Sequence, residues 1–230
     1  MNAHSPQPDQ YQPGPAQSSR ILIMTPVAAE QEAVLRGLQG EPRFDVAIAG
    51  VGPVAAAITT TSALAAGSYG LVINMGIAGG FLGRAEIGSL VVASEIIAAD
   101  LGAQSPGGFI SLDELGFGTA RVPAHAGLAA RVADALRASG LTAGMGAVLT
   151  LSTVTGTAEA ARELAARIPE AAAEGMEGFG VASAAYSRGI PALEIRSISN
   201  AVGPRDKAAW RIKDALAALE QASSILREVL

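Results

Sequence analysis

The chain has 230 residues, of which 50% are hydrophobic and 16% are charged, and its mean hydropathy is +0.35. This composition supports a sizeable hydrophobic core and excludes a disordered chain, a coiled coil and a fibrous protein. With no cysteine, two histidines and a net charge of −5, the chain has no disulfide framework, and we expect no metal centre. We also expect neither nucleic acid nor a membrane as a partner, which leaves a small molecule.

The amino-terminal segment differs in composition from the rest of the chain. Residues 1–19 are rich in Pro, Gln and Ser, so we predict a disordered tail followed by one folded domain over residues 20–230. The tail lacks the apolar segment of a signal peptide, and the later apolar runs are too short to span a bilayer. We therefore predict a cytoplasmic protein.

Apolar runs alternate with helical patterns along the rest of the chain. Strands are predicted at residues 21–24, 44–49, 71–74, 87–97, 146–151 and 192–198. Helices are predicted at residues 26–38, 53–66, 126–138, 158–168, 171–187 and 208–229. Residues 102–125 show no clear period, which predicts a long loop. The alternation indicates a single α/β domain with a mostly parallel, partly mixed central sheet flanked by helices.

Two glycine clusters follow predicted strands. Residues 50–55 fit the G-x-G-x-x-A dinucleotide pattern. However, the next strand ends in Asn74 instead of an acidic residue, and Pro53 removes a backbone donor, so a tight turn is the better interpretation. Residues 76–80 lie at the carboxyl end of a central strand, where open α/β sheets bind ligands. Either a ligand contact or a plain turn accounts for this second cluster.

Polar side chains also occur within apolar surroundings. Burying a charge is costly unless the charge is paired or functional. For Glu30 and Glu32 an exposed helix face is the alternative, and it is favoured when these residues are taken alone. Glu177 lies between Gly175 and Gly178, a pattern that indicates a close approach to its carboxylate. Asn200 ends a predicted strand at the expected ligand-binding edge.

Several of these segments together resemble the nucleoside phosphorylase/nucleosidase superfamily, from about Ile21 to the carboxyl terminus. The likeness is carried by residues 49–57, 72–80, 87–92, 175–177 and 196–200. It implies the fold of that superfamily and cleavage of a nucleoside substrate, with no metal or organic cofactor. Relatives pair their subunits so that a neighbour completes the pocket, so the resemblance also implies a homodimer or a larger homo-oligomer.

One departure from the family pattern concerns the base. Adenine-specific members have Asp where this chain has Asn200, and an aspartic acid can donate a proton to N7 of adenine. An amide instead offers a donor and an acceptor to the N7/O6 edge of a 6-oxopurine. The motifs at residues 152–157, 174–182 and 199–210 imply a nucleosidase that releases hypoxanthine from a nucleoside carrying an aromatic carboxylate arm.

The alternative activity is that of a purine nucleoside phosphorylase, or of another 6-oxopurine nucleosidase. A phosphorylase needs arginines at its glycine segments to hold the phosphate dianion. Residues 50–57 and 71–80 contain no arginine, so we expect water as the nucleophile.

The resemblance implies roles for residues around the sugar. Glu30 is the implied base that activates water, and Glu32 is the alternative because the alignment is ambiguous over two residues. Glu177 is implied to accept hydrogen bonds from the ribose hydroxyls, with Met176 against the sugar.

The resemblance also implies residues that bind the base and the arm. Asn200 is implied to bind the departing base, with Ser199 supporting its loop. The other implied substrate-binding residues are Ile77, Ala78, Gly79, Thr153, Val154, Thr155 and Arg205. Arg205 and residues 102–125 are alternatives for holding the carboxylate arm. Trp210 is predicted to be a core residue of the last helix, with stacking on the arm as the alternative.

Overall fold

The structure is a computed structural model that describes residues 19–230, so the predicted tail lies outside it except for Ser19. The strands are β1 Ile21–Thr25, β2 Phe44–Ile48, β3 Leu71–Gly80, β4 Leu90–Ala98, β5 Gly102–Ser105, β6 Gly108–Ser111, β7 Arg121–Pro123, β8 Ala143–Thr150, β9 Ala171–Gly175 and β10 Ala192–Ala201. The helices are α1 Ala28–Leu38, α2 Pro53–Ala66, α3 Leu112–Leu115, α4 Ala126–Ala138, α5 Ala158–Arg167, α6 Gly178–Tyr186 and α7 Ile212–Val229.

The central sheet is mixed, as the alternating elements predicted. Five of its strands also close into a ring, which the sequence did not predict. Strands β2, β1, β3 and β10 are parallel neighbours, and β4, β8 and β9 form a second parallel group. Antiparallel pairing of β10 with β4, and of β3 with β9, joins the two groups. Strands β3, β10, β4, β8 and β9 therefore form a closed ring. Its last junction pairs Gly79 with Glu174 and Gly80 with Ala173, where the carboxyl ends of β3 and β9 meet.

Helices cover both faces of the sheet. Strand β1 is buried along its whole length, as expected for a central strand covered on both sides. One core cluster joins the sheet to α1, α4 and α7 through residues such as Val34, Leu136 and Leu219. A second joins it to α2 and α6 through Ala56 and Val181. No helix within residues 19–230 is long and apolar enough to cross a membrane.

Several predicted elements are confirmed with small shifts. Helices α2 and α4 have the predicted bounds. The Thr157 side chain accepts a hydrogen bond from the backbone N–H of Ala160 and so caps α5 as expected. The predicted start of the first helix is wrong by two residues, because Thr25 still pairs in β1 and α1 begins at Ala28.

The prediction of a helix over residues 171–187 is wrong. The alanine-rich sequence Ala171–Gly175 forms β9, which pairs with β8 and β3, and the helix begins only at Gly178. Alanine favours helix locally, but the hydrogen bonds to two neighbouring strands outweigh that preference. Residues 76–80 are likewise no turn, because β3 continues through Gly80 and pairs with β10.

Two further expectations are corrected. Residues 102–125 contain the β5–β6 hairpin, α3 and β7 instead of one long loop. The last helix begins at Ile212, after a 3₁₀ turn at Lys207–Ala209. Trp210 therefore precedes α7, where it is only partly buried, and the prediction that it is a core residue is wrong.

Candidate active site

A cavity of about 320 Å³ opens at the carboxyl ends of β1, β3, β9 and β10. That volume lies within the range typical of small-molecule sites. The cavity brings together most of the residues predicted from the sequence: Glu30, Ile77, Ala78, Gly79, Val154, Thr155, Met176, Glu177, Ser199, Asn200 and Arg205. The geometry thus assembles, from separate parts of the chain, the groups that were expected to meet the sugar and the base.

Glu30 is a buried carboxylate in the first turn of α1, with 3% of its surface exposed. Its Oε2 accepts a hydrogen bond of 3.1 Å from the Val27 N–H, and its Oε1 accepts one of 2.8 Å from the Ile77 N–H of β3. Burial raises the pKa of Glu30, although these hydrogen bonds and the nearby Arg196 partly oppose the shift. The arrangement provides a fixed carboxylate whose basicity exceeds that of an ordinary glutamate.

Two predicted residues do not reach the cavity. Glu32 is exposed, because two residues of helix turn by about 200° and direct it away from the face that carries Glu30. Thr153 is exposed as well, while the adjacent Val154 and Thr155 line the cavity. Of the two glutamates that the sequence offered as the general base, Glu30 lines the cavity and Glu32 does not.

A buried guanidinium lies directly behind the cavity. Arg196 has no exposed surface, and its Nε donates to Glu194 at 2.7 Å and its Nη2 to Glu177 at 3.0 Å. Its Nη1 donates to the Ile77 carbonyl at 3.3 Å. Burial acts to lower the pKa of Arg196, but Glu194 and Glu177 outweigh it and raise that pKa. Asn74 completes the network with a hydrogen bond of 3.0 Å to Glu194.

The glycines beside Glu177 make room for this network. A Cβ on Gly175 would lie 2.8 Å from the Arg196 guanidinium carbon, and one on Gly178 would lie 2.1 Å from a Glu194 carboxylate oxygen. The sequence indicated a close approach to the Glu177 segment. Protein side chains make this approach on one side, and the other side of Glu177 faces the cavity.

The first glycine cluster also serves Glu177. The Gly52 N–H donates to Glu177 Oε1 at 3.3 Å, and the φ of Gly52 is 91°, which disfavours any residue with a side chain. The interpretation of residues 50–55 as a tight turn is thus consistent with the structure. The turn supplies one of the donors that orient Glu177.

Asn200 lies at the end of β10 with its amide held in one orientation. The Ser199 hydroxyl lies 2.8 Å from Asn200 Oδ1 and 3.2 Å from the Ala78 carbonyl oxygen. Asn200 Nδ2 donates to the Ala201 carbonyl at 3.0 Å. One N–H and one lone-pair position of the amide remain available to a ligand in the cavity.

The sequence-based assignment of site residues missed two kinds of group. Arg196 and Glu194 were not assigned a role, although two opposite charges within an otherwise apolar strand signal a buried pair. The sequence also indicates no role for Glu174, yet this residue lines the cavity with 6% of its surface exposed. Burial raises the pKa of Glu174, and hydrogen bonds from Thr155 partly oppose the shift.

Comparison with known proteins agrees with this geometry. The family model of the phosphorylase superfamily matches residues 16–230. The futalosine hydrolase of Streptomyces coelicolor is 47% identical over 91% of this chain and 96% of its own, and that of Acidothermus cellulolyticus is 46% identical over 91% of each chain. A 5′-methylthioadenosine/S-adenosylhomocysteine nucleosidase of Geobacillus thermodenitrificans is 30% identical over 67% of this chain and 65% of its own.

Solved structures share the fold. The futalosine hydrolase of Helicobacter pylori superimposes with a TM-score of 0.79 at 20% identity, covering 91% of this chain and 97% of that one. A 5′-methylthioadenosine/S-adenosylhomocysteine nucleosidase of Neisseria meningitidis gives a TM-score of 0.79 at 20% identity, covering 91% and 99%. The family model and the curated relatives together define the class, an enzyme of nucleoside cleavage. The chain belongs to the phosphorylase superfamily and, within it, to the family of the futalosine hydrolases.

Removing the buried guanidinium should destabilise the fold. Arg196→Met leaves Glu177 and Glu194 buried without their cation, so we expect the free energy of unfolding to fall by about 3–5 kcal/mol, measured by urea unfolding at neutral pH. Arg36→Met is the matched control, since the Arg36–Glu220 pair has side chains 54% and 40% exposed and should cost less than about 1 kcal/mol. Equal losses in the two variants would contradict the assignment.

Proposed function

We propose that the chain hydrolyses the N-ribosidic bond of futalosine and releases hypoxanthine and dehypoxanthine futalosine, in menaquinone biosynthesis. The observation that carries the proposal is one cavity lined by Glu30, Glu177 and Asn200, in a chain 47% identical to the futalosine hydrolase of Streptomyces coelicolor. In this reaction the bond between C1′ and the purine nitrogen breaks, a water oxygen bonds to C1′, and the base leaves with a proton.

The carboxylates support the sugar part of this reaction. Cleavage of such a bond passes through an oxocarbenium-like transition state, in which the ribosyl ring gains positive charge. Glu30 takes a proton from the attacking water, while Glu177 accepts hydrogen bonds from the ribose hydroxyls and Met176 packs against the sugar. Two negative groups beside a developing cation lower the barrier most when they are fixed in advance, as the hydrogen bonds to both residues fix them.

Asn200 supports the choice of base. Its amide offers a donor and an acceptor to the N7/O6 edge of hypoxanthine, and Ser199 holds the amide in place. Backbone groups of β3 at Ile77, Ala78 and Gly79 line the same part of the cavity.

The charges of the cavity favour water over phosphate as the nucleophile. Three carboxylates line it, those of Glu30, Glu174 and Glu177, against one guanidinium, that of Arg205, and the carboxylates would repel a phosphate dianion. The three nitrogens of Arg196 already donate to Glu194, Glu177 and the Ile77 carbonyl. A purine nucleoside phosphorylase would need a cation free to bind phosphate next to the sugar.

Arg205 and Trp210 are the proposed partners of the aromatic carboxylate arm of futalosine. Both line the cavity, and the Arg205 guanidinium lies 5.3 Å from the centre of the Trp210 ring. A carboxylate on an aromatic ring suits this pair, because one group supplies charge and the other a flat stacking surface.

We also propose a homo-oligomer. The exposed face of α2 and the turn before it carry Val51, Val54 and Ile58, which are 56%, 71% and 63% exposed, and α2 has no charged residue. Apolar patches of this kind mark contact surfaces. The mass of the native chain in solution tests this, and a monomer would contradict it.

A cytoplasmic location stays a prediction from the sequence.

Hypoxanthine release tests the proposed reaction directly. We expect fast release from futalosine, much slower release from inosine and methylthioadenosine, and rates that do not change when phosphate is added. The measurement is a coupled assay of free hypoxanthine, or of adenine for methylthioadenosine. Turnover of inosine that depends on phosphate would identify a phosphorylase and overturn the argument from charge.

Replacing Glu30 and Glu32 in turn with glutamine tests which of them is the general base. Glu30→Gln should lower kcat by about 10²–10⁴-fold, whereas Glu32→Gln, on the exposed face of the same helix, should leave it unchanged. Because burial raises the pKa of Glu30 above the ordinary value of 4.5, the active carboxylate is lost as the pH falls through that raised value. The acidic limb of kcat/KM should therefore lie above pH 4.5, and an inactive Glu32→Gln variant would reverse the assignment.

A further inference from the structure

Glu194 is a buried carboxylate on Arg196 that the proposed reaction leaves without a task. Its side chain has no exposed surface, and its Oε1 accepts hydrogen bonds of 2.7 Å from Arg196 Nε and 3.0 Å from Asn74 Nδ2. Its Oε2 has no hydrogen-bond partner within residues 19–230. A buried ion pair seldom stabilises a fold more than apolar side chains of similar volume would, and an unpartnered buried oxygen adds a cost. The charge of Glu194 therefore calls for an explanation other than stability.

The cation that pairs with Glu194 also lies close to Glu30. Ile77 joins the two groups, because its N–H donates to Glu30 Oε1 at 2.8 Å and its carbonyl accepts from Arg196 Nη1 at 3.3 Å. A Cβ on Gly76 would lie 2.8 Å from Arg196 Nη1 and 2.8 Å from Glu30 Oε1, so these two atoms are within twice that distance of each other. Arg196 therefore acts on the carboxylate that is proposed to activate water.

The net charge around Glu30 determines how strongly it holds a proton. A lone cation at this distance would stabilise the ionised form and make Glu30 a weak base. Arg196 is instead paired with both Glu194 and Glu177, which leaves an excess of one negative charge on the three groups. Without the charge of Glu194 the excess would vanish, and the ionised form of Glu30 would become more stable.

The other charged groups around Glu30 are compatible with this arrangement. Arg196 of β10 acts to lower the pKa of Glu30, and Glu177 before α6 acts to raise it. Strands β1 and β3, which pack against α1, carry no charged residue. The charged residues of the other two elements packed against α1, β2 and α7, are all partly or fully exposed, so that water screens them: Asp45, Lys213, Asp214, Glu220, Arg227 and Glu228.

We propose that Glu194 is a positioning residue, which acts through Arg196 and takes up part of its charge so that Glu30 remains basic enough to accept a proton from water. The inference deepens the proposed function and rests on it for the assignment of Glu30 as the general base. Asn74 serves the same task, because its amide donates to Glu194 and stabilises the ionised carboxylate. Glu194 itself lies behind the cavity, which it does not line.

Titration of Glu30 in a Glu194→Gln variant tests the inference. The amide keeps the shape of the side chain and an oxygen for Arg196 Nε but removes the charge. We expect the titration midpoint of Glu30 to fall by about one pH unit, the size of a Coulomb interaction over about 10 Å at an effective dielectric constant of about 20. NMR of ¹³C-labelled glutamate carboxyl groups measures this midpoint, with the Glu30 signal identified by its loss in Glu30→Gln. The acidic limb of kcat/KM for futalosine should move to lower pH by the same amount.

Two further variants separate the charge of Glu194 from its structural contribution. Glu194→Asp keeps the charge and should hold the Glu30 midpoint close to that of the unmodified chain. Glu220→Gln is the matched control, because it removes a carboxylate charge that is 40% exposed and pairs with Arg36 in the last turn of α1, and it should leave the midpoint unchanged. A folded Glu194→Gln variant whose Glu30 midpoint stays in place or rises would overturn the inference, as would a loss of kcat that is equal at every pH.

The unmodified chain supplies a test that does not depend on the folding of any variant. The Glu194 carboxyl signal, assigned through its bonds to the backbone, should be that of an ionised group at every pH at which Glu30 titrates. If Glu194 is protonated in that range, it cannot take up the charge of Arg196, and the inference is wrong.

Failure of the inference is distinguishable from failure of the proposed function, because the NMR titration needs no substrate. A chain that hydrolyses futalosine but whose Glu30 midpoint does not respond to Glu194→Gln overturns the role of Glu194 alone. A chain whose Glu30 midpoint responds but that does not hydrolyse futalosine overturns the proposed substrate and supports the action of Glu194 on Glu30.

Discussion

The position of Arg196 is the constraint on which the cavity depends. Its guanidinium is fully buried and joins Glu194 of its own strand to Glu177 before α6 and to the backbone of β3. An unpaired charge at such a place costs several kcal/mol, so these elements must keep their mutual distances. Glycine at 76, 175 and 178 follows from the same requirement, because a Cβ at each would lie within 2.8 Å of Arg196 or Glu194.

The carboxylates of Glu177 and Glu30, which both line the cavity, are held by different means. Glu177 is oriented by a cation from behind and by the Gly52 N–H, whereas Glu30 is held by two backbone donors. Glu177 shares its cation, Arg196, with Glu194. Its outer carboxylate oxygen can therefore accept a hydrogen bond from a hydroxyl. A carboxylate held by neutral donors in a buried site keeps a raised pKa and suits proton transfer. One cavity thereby contains two acids with different chemistry.

Much of this site was predictable from the sequence, and there are physical reasons why the rest was not. Strand ends with polar residues, such as Asn200, indicated the ligand-binding edge, and the resemblance connected it to Glu30 and Glu177. Strand β9 was missed because alanine favours helix until a neighbouring strand is present. Glu194 lies two residues from Arg196 in the same strand, whereas Glu177 and the Ile77 carbonyl come from other elements, and no local pattern reveals these two partners. Glu30 and Glu32 lie on different faces of α1. Which of them faces the cavity can be predicted only when the residue at which the helix begins is known.

The junction between β3 and β9 has a consequence for how the domain is made. Gly79 and Glu174 are roughly a hundred residues apart along the chain, so their pairing carries a large cost in loop entropy, as do the pairings of β10 with β3 and β4. Contacts of such long sequence separation slow folding and form late. Asn200 and Glu174, which both line the cavity, pair with Gly79 from opposite sides. A nascent or partly unfolded chain therefore lacks this part of the cavity, which forms only when the ring of strands has closed.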